Sequence, residues 1–113
     1  MDIFRICGGI PLRGRVKVSG SKNSALPLFA ASLLTDDETI LENVPNLSDV
    51  NFMAEILTEL GAVVSKIDSN TWSIRPSSIV YHAPYELVRK MRASICLLGP
   101  LVARLKRAEI PMP

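Results

Sequence analysis

Around Gly20 the chain changes period. Upstream, Val16 and Val18 alternate with Arg15, Lys17 and Ser19, the two-residue period of a strand. Downstream, residues 25–34 are almost unbroken apolar, which reads as a helix. A strand that turns into a helix, followed by further strands and helices and a returning hairpin, suggests sheet packed on helices. The same joint leaves the first N–H groups of the helix without partners, at the positive end of its dipole. Ser19-Gly20-Ser21-Lys22-Asn23-Ser24 therefore predicts a small pocket for a phosphate or carboxylate. Lys22 brings an ammonium to it, and Asn23 an amide that both donates and accepts. These residues also suit an ordinary helix start, with Ser21 or Asn23 as N-cap and Lys22 as a solvated turn residue.

The rest of the chain follows in order. Residues 3–7 and 15–19 read as strands, with Gly8-Gly9 and Pro11 between them. A helix over residues 24–34 accepts Pro27 in or just after its first turn. Residues 38–44 read as a strand closed by Pro45. Ser48 then suits an N-cap, Asp49 the first turn, and Leu47 a staple against Phe52. Val50, Met53, Ile56, Leu57 and Leu60 form one apolar stripe at helical spacing, ended by Gly61. Residues 62–67 and 71–75 form a hairpin about Asp68-Ser69-Asn70. From 85 to 107 the period is helical again, with Leu87, Val88 and Met91, then Ile95, Leu98, Val102 and Leu105 on the buried face. Pro100 predicts a kink or split near residues 96–99, and a second break is expected near Arg92-Ala93-Ser94. Residues 110–113 read as the start of another strand. The expected class is α/β (α+β), and the last helix with its strand reads as the opening of a second copy of the unit.

Composition removes several functions. With 113 residues the chain holds one small domain, and 48% hydrophobic residues against 5% aromatic call for an aliphatic core. A net charge of +2 without interleaved aromatics argues against nucleic acid. No apolar run reaches the roughly 20 residues of a membrane span. Met1-Asp2-Ile3-Phe4-Arg5 lacks the order of a signal peptide, so a cytoplasmic location is expected. Cys7 and Cys96 have no metal-ligand spacing and read as small packed hydrophobes. His82 reads as a surface residue rather than a catalytic one. No metal or cofactor is expected.

Two basic clusters remain. Arg104, Lys106 and Arg107 near a helix C-terminus complement the dipole. Arg89, Lys90 and Arg92 lie near a helix start, where cations oppose it. They are either a solvated face or an anion site. Arg92 is the best ligand candidate, because its planar fork suits a diphosphate or carboxylate.

These motifs, with Leu12-Arg13-Gly14, Asn43-Val44-Pro45, Leu60-Gly61-Ala62, Ala83-Pro84-Tyr85, Met91-Arg92-Ala93-Ser94 and Leu98-Gly99-Pro100-Leu101-Val102-Ala103-Arg104, run in one collinear order. In that order the whole chain closely resembles the N-terminal part of the enolpyruvyl transferase family, in the branch that acts on UDP-N-acetylglucosamine. The sister branch, acting on shikimate 3-phosphate, typically follows its Gly-Ser-Lys turn with Ser and a nearby Arg. Here Asn23 follows Lys22, and no Arg precedes the helix end.

The resemblance implies transfer of an enolpyruvyl group from phosphoenolpyruvate to the 3-hydroxyl of the sugar nucleotide, by addition and then elimination, in peptidoglycan synthesis. It implies that Lys22 and Asn23 contact phosphoenolpyruvate and Arg92 contacts UDP-N-acetylglucosamine. It implies βαβαββ units of an inside-out α/β barrel. Residues 1–21 would belong or link to the first domain, and residues 22–113 would form part of the second, one unit and the start of the next. Family members are several times longer, and their general acid, Cys or Asp, is expected just after Pro113. This chain alone is therefore expected to be inactive. Position 21 is commonly Ala in the family and position 96 often larger. The alternative is a non-catalytic anion-binding α/β module, or one that self-associates through an uncovered apolar face.

Overall fold

The computed structural model describes residues 1–112. Helix α1 spans Lys22–Ala31 and tightens into a 3-10 turn at Ser32–Leu34. Strand β1 is Thr39–Leu41, α2 is Ser48–Leu60, β2 is Val63–Asp68 and β3 is Thr71–Arg75. A short α3, Tyr85–Val88, precedes a 3-10 segment at Arg92–Leu97 that runs into α4, Leu98–Leu105. The mixed α/β class is as expected, and the expected unit is present from its first helix onward.

The sheet is antiparallel, with β3 between β1 and β2. Register places Ile74 opposite Thr39 and Val64, and Trp72 opposite Leu41 and Lys66. Trp72 and Ile74 turn to the helices and are buried, as their shared parity requires. The α2 stripe is buried throughout, and Gly61 ends the helix at φ 111°. A Cβ at Gly61 would also meet the Ser78 carbonyl oxygen at 2.2 Å. Phe29 of α1 lies edge-on to Trp72, with ring centroids 5.6 Å apart, and joins α1 to the sheet.

Several expectations need correction. Residues 3–7 and 15–19 form no strands and are exposed. A strand needs partners for its backbone, and this arm finds none among the described residues. The arm contributes to a long axis of 58 Å and a radius of gyration of 17.1 Å, against about 13 Å for a compact chain of this length. It carries Cys7, which is exposed rather than packed. Ser48 is the first helical residue of α2, and Leu47 holds the cap position without a side-chain bond. Residues 110–112 form no strand, Pro113 lies outside the described residues, and pairing is limited to a parallel bridge between His82 and Glu109.

The 85–107 span divides as Pro100 and the Arg92-Ala93-Ser94 break led one to expect. Pro100 is the third residue of α4, just past its junction with the 3-10 segment. The buried face differs, however. Leu97 and Leu101 are fully buried, whereas Ile95 and Val102 are 43% and 50% exposed. Six residues of 3-10 helix advance three per turn, so the α-helical phase assumed from sequence slips before α4 begins.

Arg104 also does more than complement a dipole. Its Nη1 donates to the carbonyls of Leu33 at 3.0 Å and Thr35 at 3.1 Å, and its Nη2 pairs with Asp36. The side chain is 21% exposed and closes the C-terminal end of the α1 segment. Arg104→Ala is expected to lower stability by about 2 kcal/mol in urea denaturation, since charged hydrogen bonds to partly buried carbonyls are lost. Arg104→Lys should recover less than half, because an ammonium cannot fork across two carbonyls and a carboxylate. An unchanged midpoint in Arg104→Ala would refute this role.

Candidate functional site: a basic cleft between two helix starts

Ser21 caps α1. Its backbone is extended (φ −88°, ψ 127°), its Oγ accepts from the Ser24 N–H at 3.3 Å, and its carbonyl accepts from the Ala25 N–H at 2.9 Å. Between the two expected alternatives, Ser21 and not Asn23 is therefore the cap. The helix offers no partner to the N–H groups of Lys22 and Asn23. Pro27, further along α1, has no N–H to give to the Asn23 carbonyl four residues back. Asn23 thus presents unused backbone groups as well as its amide.

Lys22 and Asn23 share a cleft of about 330 Å³ with Leu26, Asp49, Lys90, Met91, Arg92 and Ala93. Residues some seventy positions apart in sequence meet because α1 packs against both α2 and the 92–97 turn. Arg92 is exposed, but its backbone is anchored on both sides. Met91 before it is 4% exposed, and Ser94 after it is fully buried. The Ser94 hydroxyl donates to the Met91 carbonyl at 2.8 Å, which fixes the turn that carries Arg92.

The neighbouring cations take different roles. Arg89 turns to Glu86 of its own turn, 2.9 Å away. Lys90 lines the cleft, with its Nζ 5.7 Å from the Phe52 ring centroid, a cation–π distance. Lys22 is not a free solvated lysine: its Nζ lies 3.0 Å from Asp49 Oδ2. Lys90 and Asp49 were missed as site residues on the sequence. Lys90 had a signal, as part of the basic cluster. Asp49 already had a sufficient local explanation in the first turn of α2.

The cleft thus holds three cations against one carboxylate, beside a helix start with unused N–H groups. Such a site binds anions through charge-assisted hydrogen bonds. Two larger grooves, of about 710 and 720 Å³, are less suited to that. The first is rimmed by Glu55 and Glu59, and the second is largely apolar, around Leu98, Ile110 and Pro111. His82 is exposed on the second and stacks edge-on against Tyr81. Among the described residues no group of His, Cys, Asp and Glu has the geometry of a metal site. No described helix is long and apolar enough to cross a membrane.

Residues 6–112 match the family model for EPSP synthase (3-phosphoshikimate 1-carboxyvinyltransferase), and the chain belongs to that family of enolpyruvyl transferases. Within it, the whole chain is 53% identical to UDP-N-acetylglucosamine 1-carboxyvinyltransferase of Methylacidiphilum infernorum and 50% identical to that of Akkermansia muciniphila, covering 27% and 26% of their lengths. The enzyme of Helicobacter pylori strain Shi470 is 46% identical over 114 residues, again with 27% covered. The chain therefore spans about a quarter of the curated relatives it matches. The enolpyruvyl transferase NikO from Streptomyces tendae superimposes on 87% of the chain, and 23% of its own, with a TM-score of 0.71 at 29% identity.

Proposed function

We propose that this chain is the N-terminal part of an enzyme that transfers enolpyruvyl from phosphoenolpyruvate to the 3-hydroxyl of UDP-N-acetylglucosamine. That reaction serves peptidoglycan synthesis in the cytoplasm. The observation that carries the proposal is the meeting of Lys22, Asn23 and Arg92 on one basic cleft. Lys22 and Asn23, with the α1 start, bind the phosphate or carboxylate of phosphoenolpyruvate. Arg92 binds the sugar nucleotide.

In the addition step the sugar hydroxyl gives up its proton to a base and its oxygen bonds to C2 of phosphoenolpyruvate, while the C2–C3 double bond opens and C3 takes a proton from the general acid. Lys22 stabilises the negative charge held beside the reacting carbon. Elimination then releases phosphate and a C3 proton and leaves the enol ether. The general acid and the opposing wall come from the remainder of the enzyme, so this chain binds without turning over. Residues 1–21 are its link to the other domain, where the alternating arm gains strand partners. The exposed Ile95 and Val102 mark a second surface of attachment, for the rest of the enzyme or another copy.

Amide NMR of the 113-residue chain tests the binding roles. Phosphoenolpyruvate is expected to shift Lys22 and Asn23, and UDP-N-acetylglucosamine to shift Arg92. Lys22→Ala should weaken the first ligand about tenfold, and Arg92→Ala the second, each leaving the other ligand largely unaffected. Shifts that map to the apolar groove around Leu98, or turnover by the chain alone, would sink the assignment.

A further inference from the structure

Lys22 occupies an unfavourable place for a cation. It is the first residue of α1, where the helix dipole opposes its charge, and its stem has four rotatable bonds. Asp49 occupies a favourable place for an anion, in the first turn of α2. The two helix starts face each other across the cleft, and their side chains meet at 3.0 Å. This contact does not make Asp49 a structural anchor. Lys22 and Asp49 are 46% and 33% exposed, so the pair adds little to stability and leaves the ammonium within reach of a ligand. An anion of higher charge, held also by Lys90 and Arg92, can take the ammonium from the carboxylate.

We propose that Asp49 is a positioning residue of the anion cleft. While the cleft is empty, it holds the Lys22 ammonium at the cleft wall. It yields the ammonium when a phosphoryl-type anion binds, and its own charge moderates affinity for that anion. The inference rests on the anion-binding reading of the cleft given above.

The test uses the full 113-residue chain as wild type, Asp49→Asn and Asp49→Glu, with inorganic pyrophosphate as probe. In the wild type, the two ε-methylene protons of Lys22 are expected to be inequivalent by NMR, as for a held ammonium. Asp49→Asn should merge them, and Asp49→Glu should restore the separation. Pyrophosphate should bind Asp49→Asn roughly three- to tenfold more tightly than wild type, the effect of removing one negative charge a few ångströms from the ligand. Identical ε-methylene signals in wild type and Asp49→Asn would overturn the inference. So would pyrophosphate binding to Asp49→Asn that is weaker than wild type or equal within twofold; in both cases the anion site itself would stand. Failure of pyrophosphate to shift Lys22 or Arg92 in any of the three proteins would instead overturn the anion-binding reading, and the inference with it.

Discussion

Gly20→Ala is expected to remove about 3 kcal/mol of stability and to disable the anion cleft at the same time. A Cβ at position 20 would lie 1.7 Å from the Asn43 carbonyl oxygen, 2.9 Å from its carbon and 3.1 Å from Pro45 Cδ. The obstruction is backbone, and that backbone cannot give way cheaply. Asn43 is already left-handed at φ 54°. Val44 is tied on both sides to the hairpin turn: its N–H donates to the Asn70 carbonyl and its carbonyl accepts from Asn70 Nδ2, both at 2.8 Å. The segment before α1 must move instead, and Lys22 and Asn23 move with it. Denaturation in urea gives the stability, and pyrophosphate titration gives the cleft. Wild-type values in both would show that the 43–45 loop is more compliant than its bonds imply.

Phe29→Ala should cost about 3–5 kcal/mol, a large share of the 5–15 kcal/mol typical of a whole domain. The ring is fully buried, and it is the contact through which α1 reaches Trp72 on the central strand. Truncation leaves a cavity where helix and sheet meet, and Trp72 loses its edge-to-face partner. Phe29→Leu keeps most of the volume and should cost less than half as much. Tryptophan fluorescence follows both variants directly, because Trp72 is the single tryptophan. A loss below 1 kcal/mol for Phe29→Ala would mean that packing on α2 and the 92–97 turn holds α1 without the Phe29–Trp72 contact.

What the sequence discloses depends on how local the cause is. The α2 stripe, its glycine stop and the Asp68-Ser69-Asn70 hairpin were legible, because periodicity and turn chemistry act over a few residues. The joint before α1 was legible for the same reason, although the helix begins at Lys22, two residues before its expected start at 24. Which face of α1 is buried was not, since Leu28 is as apolar as Leu26 yet 51% exposed. The 92–105 segment misled because a 3-10 stretch resets the phase without marking itself in composition. The strand pattern of residues 15–19 is real as a pattern, but pairing is a property of two segments. Asp49 was read only as a first-turn residue because its partner is another helix start, and only the packing of α1 on α2 brings them together.

Arg104 has a consequence for synthesis on the ribosome. The Leu33 carbonyl receives its donor from a residue 71 positions later, and the Thr35 carbonyl from one 69 positions later. At about 5–20 residues per second, the end of α1 is synthesised roughly 4–14 s before the guanidinium that closes it. Through that interval α1 can form and even meet α2, but its last carbonyls must stay with water. The anion cleft needs Arg92 as well, so neither the helix end nor the binding site is complete until nearly the whole segment has been translated.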